Sequence, residues 1–226
     1  MSPDELFKRP RKILALWAGV LVLFVGVLAG ADYGLYAYVK HQDAHDYRQF
    51  LAKASADWDA PGFSAAESKT AIDRAVALAP KRPEPRVLLG HLHYRLRHWE
   101  EAIAAYEAAI ARGSEDTGVR QNLVWCHIER GRHGEAARIG KESIASGHGS
   151  PVLDRYVGEA HYRAGQHAQA RPYFEAALKA YPNDQHLMAK LLAVHQATGD
   201  DARAAEMAAR ISETEARIAA LGGGGP

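Results

Sequence analysis

The 226 residues are nearly charge-balanced, with 28 Lys plus Arg against 27 Asp plus Glu. That balance excludes the basic footprint expected of a nucleic-acid binder. A single cysteine, Cys126, excludes an intramolecular disulfide framework and any cysteine-based metal cluster.

The amino terminus reads as a membrane anchor. Lys8, Arg9, Arg11 and Lys12 form a basic tail over residues 1–12, followed by 19 uncharged residues from Ile13 to Ala31. At about 1.5 Å per residue this run spans roughly 28 Å, close to the hydrocarbon thickness of about 30 Å. Trp17 lies near one interface, and Tyr33, Tyr36 and Tyr38 follow at the other. The positive-inside rule leaves residues 1–12 in the cytoplasm and exports the remainder. The competing reading is a cleaved secretory signal, because Ala29-Gly30-Ala31 has the small-x-small form of a cleavage site. The length of the apolar run and the helical pattern continuing past it favour retention. Either way, the rest of the chain is expected outside the cytoplasm.

Residues 32–48 form a membrane-proximal helical linker, and a first, degenerate repeat occupies 49–82. Ala44, Tyr47, Leu51, Ala54 and Trp58 fall at helical spacing. Asp59-Ala60-Pro61-Gly62 breaks that helix. Ser64 with Glu67 three residues on is a capping box opening the next one. Its apolar stripe is Ala71, Ile72, Ala75, Val76 and Leu78, and Pro80 closes it.

From Pro83 onward one pattern recurs every 34 residues, in units 83–116, 117–150, 151–184 and 185–221, with a short flexible tail at 222–226. Histidines stand at His93, His127, His161 and His195, and small residues at Ala102, Ala136, Ala170 and Ala204. Gly131, Gly165 and Gly199 mark the turn inside three of the units. A fixed step of this size predicts stacked pairs of antiparallel helices, a solenoid. The final helix, Asp201 to Leu221, is long and polar on its outer face, which suits a capping role.

The unit resembles the tetratricopeptide repeat. Unit two supplies Leu89-Gly90, Trp99, Ala102, Tyr106 and Ala109, and unit four supplies Gly158, Gly165, Ala170, Phe174, Ala177 and Pro182. Departures are the lack of Trp at the fourth position, His in place of the aromatic at the eleventh, and Gly140 where a large residue is expected. The resemblance implies an all-α, right-handed superhelical solenoid, here with an amino-terminal transmembrane helix. It also implies that positions two, five, nine, twelve and thirteen of each unit line a concave protein-binding groove. Those positions give Glu84, Val87, His91, Tyr94 and Arg95 in unit two, and Gly118, Gln121, Trp125, Ile128 and Glu129 in unit three. Unit four gives Val152, Arg155, Glu159, Tyr162 and Arg163, and the last unit the blander His186, Ala189, Ala193, Gln196 and Ala197. Aromatic and arginine residues dominate binding hot spots, so Trp125 stands out. The alternative for the arginines is pairing with Glu129 and Glu159 on neighbouring helices.

The histidine ladder invites a metal, but equivalent residues of stacked repeats stand about 10 Å apart, whereas zinc needs its ligands about 2 Å away. Packing is the expectation for all four. No nucleophile elbow, glycine-rich phosphate loop or His-Glu-x-x-His occurs, so neither catalysis nor a cofactor is expected. The layout is similar to bacterial inner-membrane tetratricopeptide proteins. The reading is a scaffold or assembly factor at the bacterial inner membrane, its repeats periplasmic, binding another envelope protein. Self-association through the convex surface or amino-terminal helix is the alternative. A secreted adaptor with a cleaved signal is a further one.

Overall fold

The computed structural model describes residues 40–55 and 62–222, with side chains to residue 220. The basic tail, the apolar run 13–31, Trp58 and residues 223–226 lie outside the described residues. No helix among the described residues is long and apolar enough to cross a membrane.

The described chain is a run of antiparallel helices. A helix over 40–54 (α1) and Ala65–Leu78 (α2) precede four further pairs. These are Glu84–Arg95 (α3) with Trp99–Ile110 (α4), Thr117–Glu129 (α5) with His133–Ser143 (α6), Pro151–Arg163 (α7) with His167–Ala180 (α8), and Gln185–Ala197 (α9) with Asp201–Gly222 (α10). The second helices of these pairs start at Trp99, His133, His167 and Asp201, each 34 residues after the last.

Local chemistry sets where each helix begins. Asp116, Ser150 and Asp184, one register apart, turn their side-chain oxygens onto the first free N–H groups of α5, α7 and α9. Ser64 caps α2 by accepting from Glu67 N at 3.3 Å. Helix α3 has no side-chain cap and starts with a proline in its first turn instead.

The turn inside each pair uses one left-handed residue. Gly131, Gly165 and Gly199 have φ of 71°, 72° and 72°, and Arg97 at the same register has φ 57°. The next N–H closes the turn onto the ladder carbonyl: His98 N to His93 O, Arg132 N to His127 O, Gln166 N to His161 O and Asp200 N to His195 O, each 2.9 Å. Arg97 bears a Cβ in a conformation that favours glycine. Arg97→Gly should therefore raise stability by about 0.5–1 kcal/mol, or roughly 1–4 °C in Tm. Thermal unfolding followed by circular dichroism checks it, and a lower Tm would contradict it.

The core is built both within each pair and where the second helix of one pair meets the first helix of the next. Ala102, Ile103, Tyr106 and Ala109 pack on Val119, Leu123 and Cys126. Val124, Ile128, Ala136 and Ala137 pack with Leu153 and Ala160. Ala170, Phe174, Ala177 and Leu178 pack on Leu187, Met188, Leu191, Val194 and Met207. The small residues at Ala102, Ala136 and Ala170 are fully buried, and Ala204 nearly so. Burial pushes the Cys126 thiol up to about 12, so it stays protonated and inert.

Gly140 departs from the family pattern for a reason of volume. In unit two the ring of Tyr106 lies where a Cβ on Gly90 would be, and in unit four Phe174 does the same to Gly158 at 2.7 Å. Unit three exchanges the sizes. Val124 takes the glycine position, Gly140 takes the aromatic position, and Val157 of the next unit occupies the space above Gly140.

The ladder histidines pack, with different surroundings. His127 is 4% exposed, and among the described residues neither of its ring nitrogens meets a hydrogen-bond partner. His161 Nδ1 lies 2.7 Å from Gln166 Oε1, and His195 Nδ1 lies 3.6 Å from Asp200 Oδ2. Desolvation holds the His93 and His127 imidazoles below the usual histidine range. The unfolded chain therefore binds protons first as pH falls below about 6.5. Stability from these two residues is full above that pH and is lost progressively below it. Tm should fall between pH 7 and pH 5, and less steeply in His127→Leu. Parallel Tm profiles for the two proteins would contradict this.

Candidate functional site

First helices of successive pairs touch directly, α3 with α5 and α5 with α7. Their crowding places them on the inner side of the array. Along that side runs a cleft of about 520 Å³. Its lining comes from Tyr94 on α3, Trp125 on α5, Arg155, Tyr156, Glu159 and Arg163 on α7, Phe174 on α8, and His186, Leu187 and Lys190 on α9.

Aromatic rings form its middle. Trp125 and Tyr156 lie 5.0 Å apart between centroids at 41°. The Arg163 guanidinium stands 5.6 Å from the Trp125 ring centre, and Lys190 Nζ stands 4.5 Å from that of Tyr162. These are cation–π distances. Burial pushes the Tyr94 hydroxyl up to about 12, so it remains neutral.

The cleft cations are tied to carboxylates. Arg163 Nε donates to Glu159 Oε1 at 2.7 Å, and Lys190 Nζ sits 3.0 Å from Glu159 Oε2. Arg163 also reaches Glu129 Oε1 at 3.3 Å. Arg155 lies 3.7 Å from Asp184 Oδ2, whose other oxygen caps α9. Burial pushes the Glu159 carboxyl up, but the hydrogen bonds from Arg163 and Lys190 outweigh it and hold the group below the usual range. Glu159 is a carboxylate at neutral pH, and its side chain is only 11% exposed.

Six expected groove residues, Tyr94, Trp125, Arg155, Glu159, Arg163 and His186, converge on this cleft. Tyr162 borders it under Lys190 and packs edge-on to His167 at 5.2 Å. Glu129 contributes through Arg163. Gln121 is engaged elsewhere, its Nε2 donating to Ser150 Oγ at 2.8 Å. His91 sits edge-on to Tyr106 at 5.6 Å and lines a different, apolar cleft with Leu51, Val87 and Leu88. Arg95 is exposed at the end of α3, away from the cleft lining. Ile128 is corrected: at 1% exposure it belongs to the core beside Ala136 and Leu153, and offers no surface to a partner.

Sequence reasoning missed Tyr156 and Lys190, whereas Leu187 and Phe174, which lie beneath the cleft, are fully buried core residues. Tyr156 and Lys190 share the sixth position of their units, with Leu88 and Asn122 before them. A position that changes from apolar to amide to aromatic to cationic is not serving the common core, and that was the available signal. Among the described residues no three His, Cys, Asp or Glu side chains converge as a metal site.

Comparison with known proteins agrees with this architecture. Tetratricopeptide repeat models match residues 87–151 and 155–184. Cellulose synthase operon protein C of Xanthomonas axonopodis pv. citri (strain 306) is 31% identical over 148 residues, covering 61% of this chain. This chain spans only 10% of that relative's length. Among solved structures, MamA (41-end) of Desulfovibrio magneticus RS-1 superposes with a TM-score of 0.67 at 14% identity, over 77% of this chain and 96% of that one. YrrB, described as a TPR protein with an unusual peptide-binding site, superposes with a TM-score of 0.59 at 14% identity, over 66% and 77%. Likeness at that identity concerns the fold alone. With two repeat models in register on helix pairs whose starts recur every 34 residues, residues 87–151 and 155–184 are tetratricopeptide repeats.

Proposed function

We propose that this protein is a non-catalytic scaffold that holds an extended segment of another protein in its inner cleft. The observation carrying this reading is the meeting of Tyr94, Trp125 and Tyr156, from three successive repeats, along one cleft. Large rings on an inner face bring apolar area with little side-chain entropy to lose, which suits a binding anchor. A segment spanning α3, α5, α7 and α9 would touch all four regular units at once.

We further propose that the array is tethered to a bacterial inner membrane by residues 13–31, with the repeats periplasmic and an envelope protein as partner. The uncharged run behind a basic tail supports the anchor and its orientation. The task consistent with both parts is scaffolding or assembly of an envelope complex. Affinity capture with the full chain, against a Trp125→Ala/Tyr162→Ala double variant, tests the groove. A partner set that is identical and equally abundant in both would refute it. Protease added to spheroplasts tests the topology: the repeats should be digested without permeabilising the membrane, and protection would refute periplasmic exposure.

A further inference from the structure

Resting on that groove reading, we infer that Glu159 is a specificity-determining residue. It is an internal counter-anion that occupies the cleft cations and turns acidic segments away, leaving the cleft to a protein segment anchored by a neutral aromatic side chain.

The geometry is specific on this point. A cleft holding two arginines and a lysine would ordinarily select carboxylates. Here each cation already has one. Glu159 takes Arg163 on Oε1 at 2.7 Å, and Lys190 lies 3.0 Å from Oε2 and 3.3 Å from Oε1. Asp184 faces Arg155 at 3.7 Å. Asp184 is fixed in place, because its second oxygen accepts from His186 N at 2.9 Å and Leu187 N at 3.1 Å.

A ligand carboxylate would therefore meet the Glu159 charge in a cleft where it is little screened, with no cation left to compensate. A ligand ammonium or guanidinium gains little either, since Glu159 is already bridged by two cations. What the cleft offers is ring surface. Trp125 and Tyr156 stand at 41° to each other, and the neutral Tyr94 lines the same cleft. An aromatic side chain meets that surface through offset or edge contacts.

The chain itself supplies the switch. Glu159→Gln keeps an acceptor oxygen for Arg163 and nearly the same shape, but removes the charge. Lys190 then loses its carboxylate partner and Arg163 keeps only the longer carboxylate contact, to Glu129 at 3.3 Å, which opens both to an incoming carboxylate.

The test is selection of random linear peptides displayed on phage against the intact chain and against Glu159→Gln. Binders that also hold Trp125→Ala are discarded. The wild-type protein should yield peptides with an aromatic residue and no acidic residue beside it. The Glu159→Gln protein should yield peptides with an Asp or Glu next to the aromatic. A synthetic peptide of that second kind should bind Glu159→Gln about tenfold more tightly than wild type, the scale of a charge-assisted hydrogen bond. Acidic residues beside the aromatic in the wild-type set, or the same peptides from both proteins, would overturn the inference while leaving the groove standing. Failure of the wild type to yield any Trp125-dependent peptide would instead overturn the groove reading, and the inference with it.

Discussion

Trp125→Ala should weaken partner binding by roughly 30-fold or more, about 2 kcal/mol at the lower end of hot-spot losses. The residue stands at the centre of the cleft, against Tyr156 on α7 and beneath Arg163. Truncation removes the largest ring and also frees its two neighbours to move, so the partner loses both area and a fixed shape. The ring is half-buried and packs at the edge of the Val124–Leu153 cluster. Some stability is lost too, on the order of 1–2 kcal/mol. Binding must therefore be compared at a temperature where circular dichroism shows both proteins folded. Trp125→Phe should recover most of the affinity. An alanine variant that stays folded and binds as wild type would remove the anchor from the account.

Phe174→Ala should destabilise the array by about 3–5 kcal/mol, the usual cost of deleting a buried phenyl ring. Phe174 is fully buried within the cluster formed by α8 and α9 and lies over Gly158 of its own pair. The expected fall in Tm is roughly 10–15 °C. Gly158→Ala should also destabilise, because its new Cβ would approach the ring at 2.7 Å and the ring has no room to withdraw. The two changes should not add. In the double variant the missing ring leaves space for the Cβ, so the combined loss should be smaller than the sum of the two. Additive losses would mean that Gly158 and Phe174 are not the packing pair described here.

Much of the fold could be read from residues because the repeat imposes the same local problem many times. Asp116, Ser150 and Asp184 announce helix starts, and Gly131, Gly165 and Gly199 announce turns. Arg97 shows the limit of that reading. Its type gives no hint of a left-handed backbone, and only its place in the register does. Gly140 shows another. A missing aromatic looks like a defect in one unit until Val124 and Val157 are seen to fill the volume from two neighbouring helices.

The candidate site was legible at the level of positions rather than side chains. The ninth position places Trp125 and Glu159 in the cleft, but His91 at that position faces a separate cleft nearer α1. The twelfth position sits at the boundary between groove and core. A long tyrosine there, Tyr94, reaches the cleft, whereas Ile128 is short enough to be swallowed by the core. Pairing of Arg163 with Glu129 and Glu159 was among the sequence expectations, but the second cation on Glu159 was beyond the pattern. Glu159 and Lys190 are 31 residues apart and meet only once α7 and α9 are side by side.

The most direct test of the inner cleft as the binding surface is photo-crosslinking in cells, with a benzophenone amino acid placed singly in the full chain. Position His186 is exposed on the cleft lining, and position Arg138 is exposed on the second helix α6. The account predicts a partner adduct from position 186 that disappears when Trp125→Ala is added, and none from position 138. An adduct from position 138 without one from position 186, or an adduct at 186 indifferent to Trp125→Ala, would contradict it.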